Sequence, residues 1–179
     1  TDSKKIEMLT ACKIILEGLR DWILLNADAA EKKAKEGGQW AESLYKVAEN
    51  CRAIAFDAPT NYYEACQLVW FYSLWDWVDC VGRIDQFMYP FFEKAVKEDR
   101  QFAEDCTAAL MLKFLEHGIH NMTLGGCDPE TGLDATNELS YLYLQIARRN
   151  HETHPRISLR IAADTDPALL ALGVQMWSE

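Results

Sequence analysis

The histidines of this 179-residue sequence fall into two pairs of equal spacing, His117/His120 and His151/His154. Zinc and related ions take His and Cys donors held in a compact geometry, and residues three apart on a helix can share a face. The pairs therefore read either as halves of a metal site or as surface and loop histidines. His151-Glu152 does not continue into H-E-x-x-H, so zinc-protease chemistry is not implied. Cys127 follows two glycines, where a thiol could be exposed. Its activation would need a nearby cation or a helix N-terminus. Asp128 and Glu130 are its neighbours in sequence, so a nucleophile and a turn cysteine both stay open. Arg160 alternates with apolar residues on a segment that reads as a buried strand. A buried Arg needs a carboxylate or a bound anion, so Arg160 reads as a salt-bridge partner or as an anion ligand. Asn137, just before Glu138, is a helix cap or a member of a buried polar network. Asn121-Met122-Thr123 fits a glycosylation acceptor, read here as chance.

Composition narrows the classes. Hydrophobic residues make up 49% and charged residues 26%, enough apolar side chain for a core. The 18 basic and 28 acidic residues give a net charge of −10. Such a chain lacks the basic stripe of a general nucleic-acid binder, so no nucleic-acid partner is expected. The most apolar stretch, Leu68 to Trp75, is less than half the roughly twenty residues that a membrane span needs. No basic segment followed by an apolar one opens the chain, so no signal peptide and a cytoplasmic protein are expected. The six cysteines are widely spaced and form no C-x-x-C pair, which reads as reduced thiols. Thr1 in place of Met, and Glu179 inside a helical pattern, read as a piece of a longer polypeptide.

The elements that must position these residues are mostly helical. Ile6, Leu9, Cys12, Leu16, Leu19 and Ile23 recur at helical steps, predicting a long helix with one buried face that Gly37-Gly38 stops. A second helix is expected from about Trp40 to Phe56. A third, about 61 to 79, is apolar on nearly every face (Leu68, Val69, Trp70, Phe71, Trp75, Trp77) and is expected to be buried in something large. Gly82-Arg83 restarts the chain. A helix with Phe87, Met88, Phe91 and Phe92 follows, with Pro90 near its start, and another runs through Phe102, Cys106, Leu110 and Phe114. Asn121 to Leu124 alternates and ends at Gly125-Gly126, a strand and a turn. A helix carrying Leu139, Leu142, Tyr143 and Ile146 follows. Ile157, Leu159 and Ile161 alternate with Arg156, Ser158 and Arg160, a second strand. Strand, helix, strand predicts a right-handed crossover and a parallel pair. Asp166 caps a last helix with Pro167 at its first position. The expected division is a helical layer over 1–120 and a strand–helix–strand portion with a final helix over 121–179.

Four segments carry a resemblance. They are Arg52-Ala53, Ala58-Pro59, Tyr63-Glu64-Ala65-Cys66-Gln67 and Trp70-Phe71; then Gly82-Arg83-Ile84-Asp85-Gln86 and Tyr89-Pro90-Phe91; then Thr123-Leu124-Gly125-Gly126, Asp128, Gly132, Asp134 and Asn137-Glu138-Leu139-Ser140; then Pro155 and Ser158-Leu159-Arg160. In order and spacing the set resembles the pyruvate formate-lyase-like glycyl radical enzymes, over about residues 45 to 179. The resemblance implies a predominantly α fragment with a few parallel β-strands, cut from a ten-stranded α/β barrel wrapped in helices. It implies a parent enzyme that works in an anaerobic cytoplasm as a homodimer. There a radical-SAM activase installs a glycine radical, which passes to a cysteine thiyl that abstracts hydrogen from a small-molecule substrate. Formate acetyltransferase, other lyase, dehydratase and decarboxylase activities belong to this class.

The family's radical cysteine lies in G-C-x-E and its radical glycine in R-V-x-G. Neither motif is in this sequence; in Gly126-Cys127-Asp128-Pro129-Glu130 the glutamate is one position too far. The resemblance therefore implies no catalytic residue, no bound cofactor and no metal in this segment, which would be inactive alone. It implies Asp79, Cys80, Thr123, Leu124, Ser158 and Arg160 as substrate-pocket candidates. It gives structural roles to Gly82, Arg83 and Asp85, which would fix a helix start and an ion pair, and to Gly125, Gly126, Asn137 and Glu138. The stretch Asp76–Val81, which helps line the pocket in the family, is short here. The alternatives are a non-catalytic helical binding or scaffold domain of the same descent, and a thiol-dependent enzyme using Cys127.

Overall fold

The computed structural model describes residues 2–75, 79–151 and 153–178. The chain divides after Pro59 into two compact units.

The first unit is a helical hairpin of α1 (Asp2–Lys35) and α2 (Ala41–Ile54). Gly37 and Gly38, with φ of +81° and +104°, take the connection through backbone space that L side chains rarely enter. With 34 residues against 14, α1 far outreaches its partner. Burial is confined to Ile23, Ala27 and Ala34 on α1, with Ala48, Asn50, Cys51 and Ile54 on α2. The apolar face that periodicity predicts is real. Yet its first two thirds, Ile6, Leu9, Cys12 and Leu16, stand exposed because α2 ends before reaching them.

The second unit opens with α3 (Tyr62–Trp75), capped by the Asn61 side chain, which accepts from Glu64 N at 2.9 Å. Burial on α3 is one-sided. Ala65, Cys66 and Phe71 are buried, Trp70 is half-buried and Tyr72 is exposed, so this chain alone leaves part of the apolar helix uncovered. The chain is in a bend at Asp79, not in helix; residues 76–78, with Trp77 and most of the stretch expected to be short, lie outside the described residues.

A strand that periodicity did not predict follows, β1 (Cys80–Arg83), inside the region expected to be wholly helical. Then come α4 (Ile84–Phe87), α5 (Tyr89–Glu98), with Pro90 in its first turn as expected, and α6 (Arg100–His117). The strand β2 (Asn121–Gly125), the helix α7 (Glu138–Asn150), the strand β3 (Arg156–Arg160) and the helix α8 (Pro167–Ser178) complete the unit. The three strands form one parallel sheet in the order β1-β2-β3. In the β1–β2 pair, Cys80 is opposite Asn121 and Arg83 is opposite Thr123. One extra residue is therefore taken up in β1, a bulge at which Gly82 adopts φ +68°.

The sheet is covered on one face. Met122 and Leu124 of β2 are fully buried and share a cluster with Ile84, Met88, Phe114 and Tyr143 from the helices. Each buried large apolar side chain contributes on the order of 1.5–3 kcal/mol, so this layer holds the strands in place. Along β3, Ile157 and Leu159 are partly buried while Arg156, Ser158 and Arg160 are exposed. The opposite face of the sheet is thus polar and uncovered.

Candidate functional site

Parallel pairing puts opposed residues on the same face, so the register reads off what the uncovered face presents. The lowest row is Cys80, Asn121 and Arg156; the next is Arg83, Thr123 and Ser158; the top row is Gly125 and Arg160. Of the pocket candidates, Cys80, Thr123, Ser158 and Arg160 share this face. Leu124 does not: strand alternation turns it into the helix-packed core, where it is fully buried. Asp79 sits just before β1, where its Oδ1 is 2.9 Å from His120 Nδ1.

The turn after β2 closes the top of the face. Gly125 and Gly126 have φ of +67° and +89°. A Cβ on Gly125 would lie 2.9 Å from the Arg160 carbonyl oxygen, and one on Gly126 would lie 3.0 Å from Arg160 Cβ. Glycine is required at both positions by conformation and by the close approach of β3. Arg160 therefore lies across the turn. From the other side, Arg83 Nη1 donates to the Cys127 carbonyl at 3.0 Å.

Asp85 fastens this turn to the helices. It is fully buried, and its Oδ2 accepts from Gly125 N at 2.7 Å and from Ser140 Oγ. Ser140 Oγ in turn accepts from Asn137 N at 3.1 Å, while Asn137 Oδ1 accepts from Leu139 N and Ser140 N. This is a reciprocal cap on α7. The Asn137 amide also donates to the Asp85 carbonyl at 2.9 Å. Asn137 is thus both of the things its position suggested, a cap and a network member. Glu138, in the first turn of α7, pairs with Arg100. Sequence reasoning missed the hub at Asp85: no salt bridge joins it to Arg83 among the described residues, and its Oδ1 has no hydrogen-bond partner.

The histidine pairs do not act as pairs. His120 and His154 come together, ring centroids 6.0 Å apart, one from each pair. His117 packs edge-on against Trp70, and His151 is the left-handed C-cap of α7. No group of three His, Cys, Asp or Glu residues suited to a metal ion occurs among the described residues. Cys127 is exposed. Asp128, its neighbour, is held below the usual carboxylate range by hydrogen bonds from Thr131 N, Thr131 Oγ1 and Glu130 N.

Apart from this face, an apolar groove of about 260 Å³ lies between α3 and α6, lined by Cys66, Trp70, Phe102, Cys106 and Leu110. Lys113 stands over the Trp70 ring at its rim. Burial pushes its thiols up, Cys106 to about 11 and Cys66 further still, which disfavours the thiolate.

Comparison with known proteins identifies the scaffold. The chain is 29% identical to a probable dehydratase of Escherichia coli (strain K12), over 95% of this chain and 25% of that protein. It is 28% identical to the isethionate sulfite-lyase of Oleidesulfovibrio alaskensis, over 88% of this chain and 22% of the relative. The crystal structure of a glycyl radical enzyme from Archaeoglobus fulgidus matches with a TM-score of 0.77 at 31% identity, covering 90% of this chain and 24% of that one. The chain spans about a quarter of the length of the curated relatives it matches. The first of these alignments runs over 202 residues, so that relative carries intervening residues that this chain lacks. The sequence profile of the family described as pyruvate formate lyase-like matches residues 1–179. With fold, motif order and full-length match in agreement, the chain belongs to the pyruvate formate lyase-like family of glycyl radical enzymes.

Proposed function

We propose that this chain is the part of a glycyl radical enzyme that supplies one wall of the substrate pocket. One observation carries the reading. The sheet is sealed by helices on one face and presents an ordered polar array on the other, with Arg83, Thr123 and Ser158 in one row and Arg160 above them. A polar sheet face of this kind needs something polar to face, and in a barrel of such strands that is the interior. Thr123, Ser158 and Arg160 orient the substrate. Asp79 and Cys80 bound the lower end of the wall.

The reaction is a radical lyase, dehydratase or decarboxylase step on a small organic substrate. Relatives named as dehydratases, a sulfite-lyase and an indoleacetate decarboxylase support this class. The residues of this chain bind and orient; the hydrogen-abstracting thiyl and the storage glycine belong to the whole enzyme, which meets a radical-SAM activase in an anaerobic cytoplasm and works as a homodimer. The test is anaerobic activation of the full-length gene product carrying this chain. Electron paramagnetic resonance is expected to record a glycyl radical doublet, and the 179-residue chain alone is expected to give none. A full-length product that stays without a radical, when a known member activates in parallel, refutes the assignment.

A further inference from the structure

On the helix side of the sheet two polar atoms are shut off from solvent and meet no hydrogen-bond partner, Asp85 Oδ1 and Tyr143 Oη. Both residues are fully buried. Native proteins leave few such groups unpaired, and a carboxylate oxygen is among the costliest to strand. The two atoms belong to one place. Asp85 Oδ2 accepts from Ser140 Oγ, which fixes the carboxylate against the first turn of α7. Tyr143 stands one turn farther along that helix, on the face it shares with Ser140. A long side chain on a helix points back towards the N-terminus, so the Tyr143 ring lies over the turn that holds Asp85.

Tyr62 supplies a third oxygen. Thr107 has one hydroxyl proton, and Thr107 Oγ1 donates it to the Ala103 carbonyl at 2.9 Å. In the 2.8 Å contact between Tyr62 Oη and Thr107 Oγ1, Tyr62 is therefore the donor, and its oxygen keeps a lone pair free to accept. Burial pushes the Tyr143 phenol well above its usual range, and Cys66, Tyr62 and Asp85 are the groups near enough to act on it. The thiol of Cys66 is too weak a donor to satisfy a carboxylate oxygen. Asp85 Oδ1 and Tyr62 Oη can thus only accept, while Tyr143 Oη brings one proton and reaches neither in hydrogen-bond geometry. A molecule with two protons to give and one lone pair to offer, small enough for a closed core, satisfies all three oxygens. Water is that molecule, and buried waters typically make about three hydrogen bonds to groups of this kind.

We infer that this protein binds one internal water molecule between α3, α4 and α7, which donates to Asp85 Oδ1 and Tyr62 Oη and accepts from Tyr143 Oη. The water completes the shell of the Asp85 carboxylate, whose other oxygen holds the Gly125 amide and the Ser140 hydroxyl. It links the glycine turn after β2 to α3 and, through Thr107, to α6. The site lies behind the sheet, away from the open polar face, and does not depend on the pocket reading.

The experiment is a crystal structure of the full-length gene product at a resolution that shows ordered water. One solvent peak is expected about 2.7–3.2 Å from each of Asp85 Oδ1, Tyr62 Oη and Tyr143 Oη. A direct bond from Tyr143 Oη to Asp85 Oδ1 with no peak between them overturns the site, as does a peak that touches only one of the three oxygens. Hydrogen exchange of the Gly125 amide, which Asp85 Oδ2 holds, reads the same site in solution. Tyr143→Phe removes the proton given to the water and is expected to speed that exchange about fivefold. Tyr141→Phe, on the same helix but bonded to Asp166, is expected to leave it unchanged. An unchanged rate in Tyr143→Phe, or equal acceleration by both variants, overturns the inference. Should Tyr143→Phe fail to fold by circular dichroism, the crystal structure of the unsubstituted protein decides alone.

Discussion

Asp85 is a buried carboxylate that holds three parts of the chain with one oxygen and its own carbonyl: the end of β2, the cap of α7 and the start of α4. Asp85→Ala leaves the Gly125 amide and the Ser140 hydroxyl buried without their acceptor. The expected loss is about 3 kcal/mol, the sum of charge-assisted bonds and stranded donors. Urea denaturation of the full-length protein measures it. Asp85→Asn keeps an acceptor and is expected to lose less; equal losses would mean that charge, not hydrogen bonding, holds the hub. The cysteines give a second expectation at this scale. Burial pushes the Cys51 and Cys106 thiols up to about 11, and Cys66 higher, so the thiolate that reacts is scarce at neutral pH. Exposed Cys12, Cys80 and Cys127 are expected to alkylate first near pH 8, with Cys51, Cys66 and Cys106 protected until denaturant is added. Mass spectrometry of partially labelled protein reads the order.

At the scale of elements, the glycine turn is where backbone and packing constraints meet. Gly125→Ala sets a methyl against a carbonyl oxygen at a φ that alanine resists, and backbone cannot give way as a side chain can. Gly126→Ala meets the flexible shaft of Arg160 instead. Both are expected to destabilise, Gly125→Ala by about 2–3 kcal/mol and Gly126→Ala by about 1–2 kcal/mol, in thermal melts. The following turn depends on Asp128, whose carboxyl is depressed in the folded chain. Its stabilising contribution is therefore complete above the free aspartate value near 3.9 and is lost as pH falls through the lower folded value. The amide resonances of Glu130 and Thr131 are expected to move below about pH 4, and a flat titration there would exclude this role. How much of these elements was legible follows from their chemistry. β2 and β3 alternate cleanly, and Asn137 and the Asp166-Pro167 pair announce helix starts, so these were readable. β1 was not: a four-residue strand interrupted by a glycine at positive φ has no period to detect. The uncovered half of α1 was unreadable for another reason. Periodicity shows which side of a helix is apolar and says nothing of whether a neighbour is long enough to reach it. The order of rows on the open face came from strand register, which no local pattern encodes; that Leu124 faces the helices follows from strand alternation alone.

For the whole molecule, the balance of covered and uncovered surface matters most. No helix among the described residues is long and apolar enough to cross a membrane. Yet Ile6, Leu9, Ile14, Ile15 and Leu16 are each more than half exposed on α1. Contiguous apolar surface of that kind associates in water. The 179-residue chain is expected to bind a hydrophobic dye and to sediment with a concentration-dependent mass; Leu9→Lys with Leu16→Lys is expected to reduce both while leaving the helix content unchanged. A monomer that binds no dye would show these side chains to be harmless. The strand order has a consequence of its own. With β2 in the middle, β1 and β3 each keep one row of backbone amides and carbonyls without a strand beside it among the described residues. Such margins are templates for further strands. The division of labour between this chain and the rest of a barrel is therefore written in main-chain hydrogen bonds, and it could be restored between separate polypeptides. Coexpressed with the remainder of its gene as a second chain, this piece should act as one half of a split protein, recovering by complementation what neither chain holds alone.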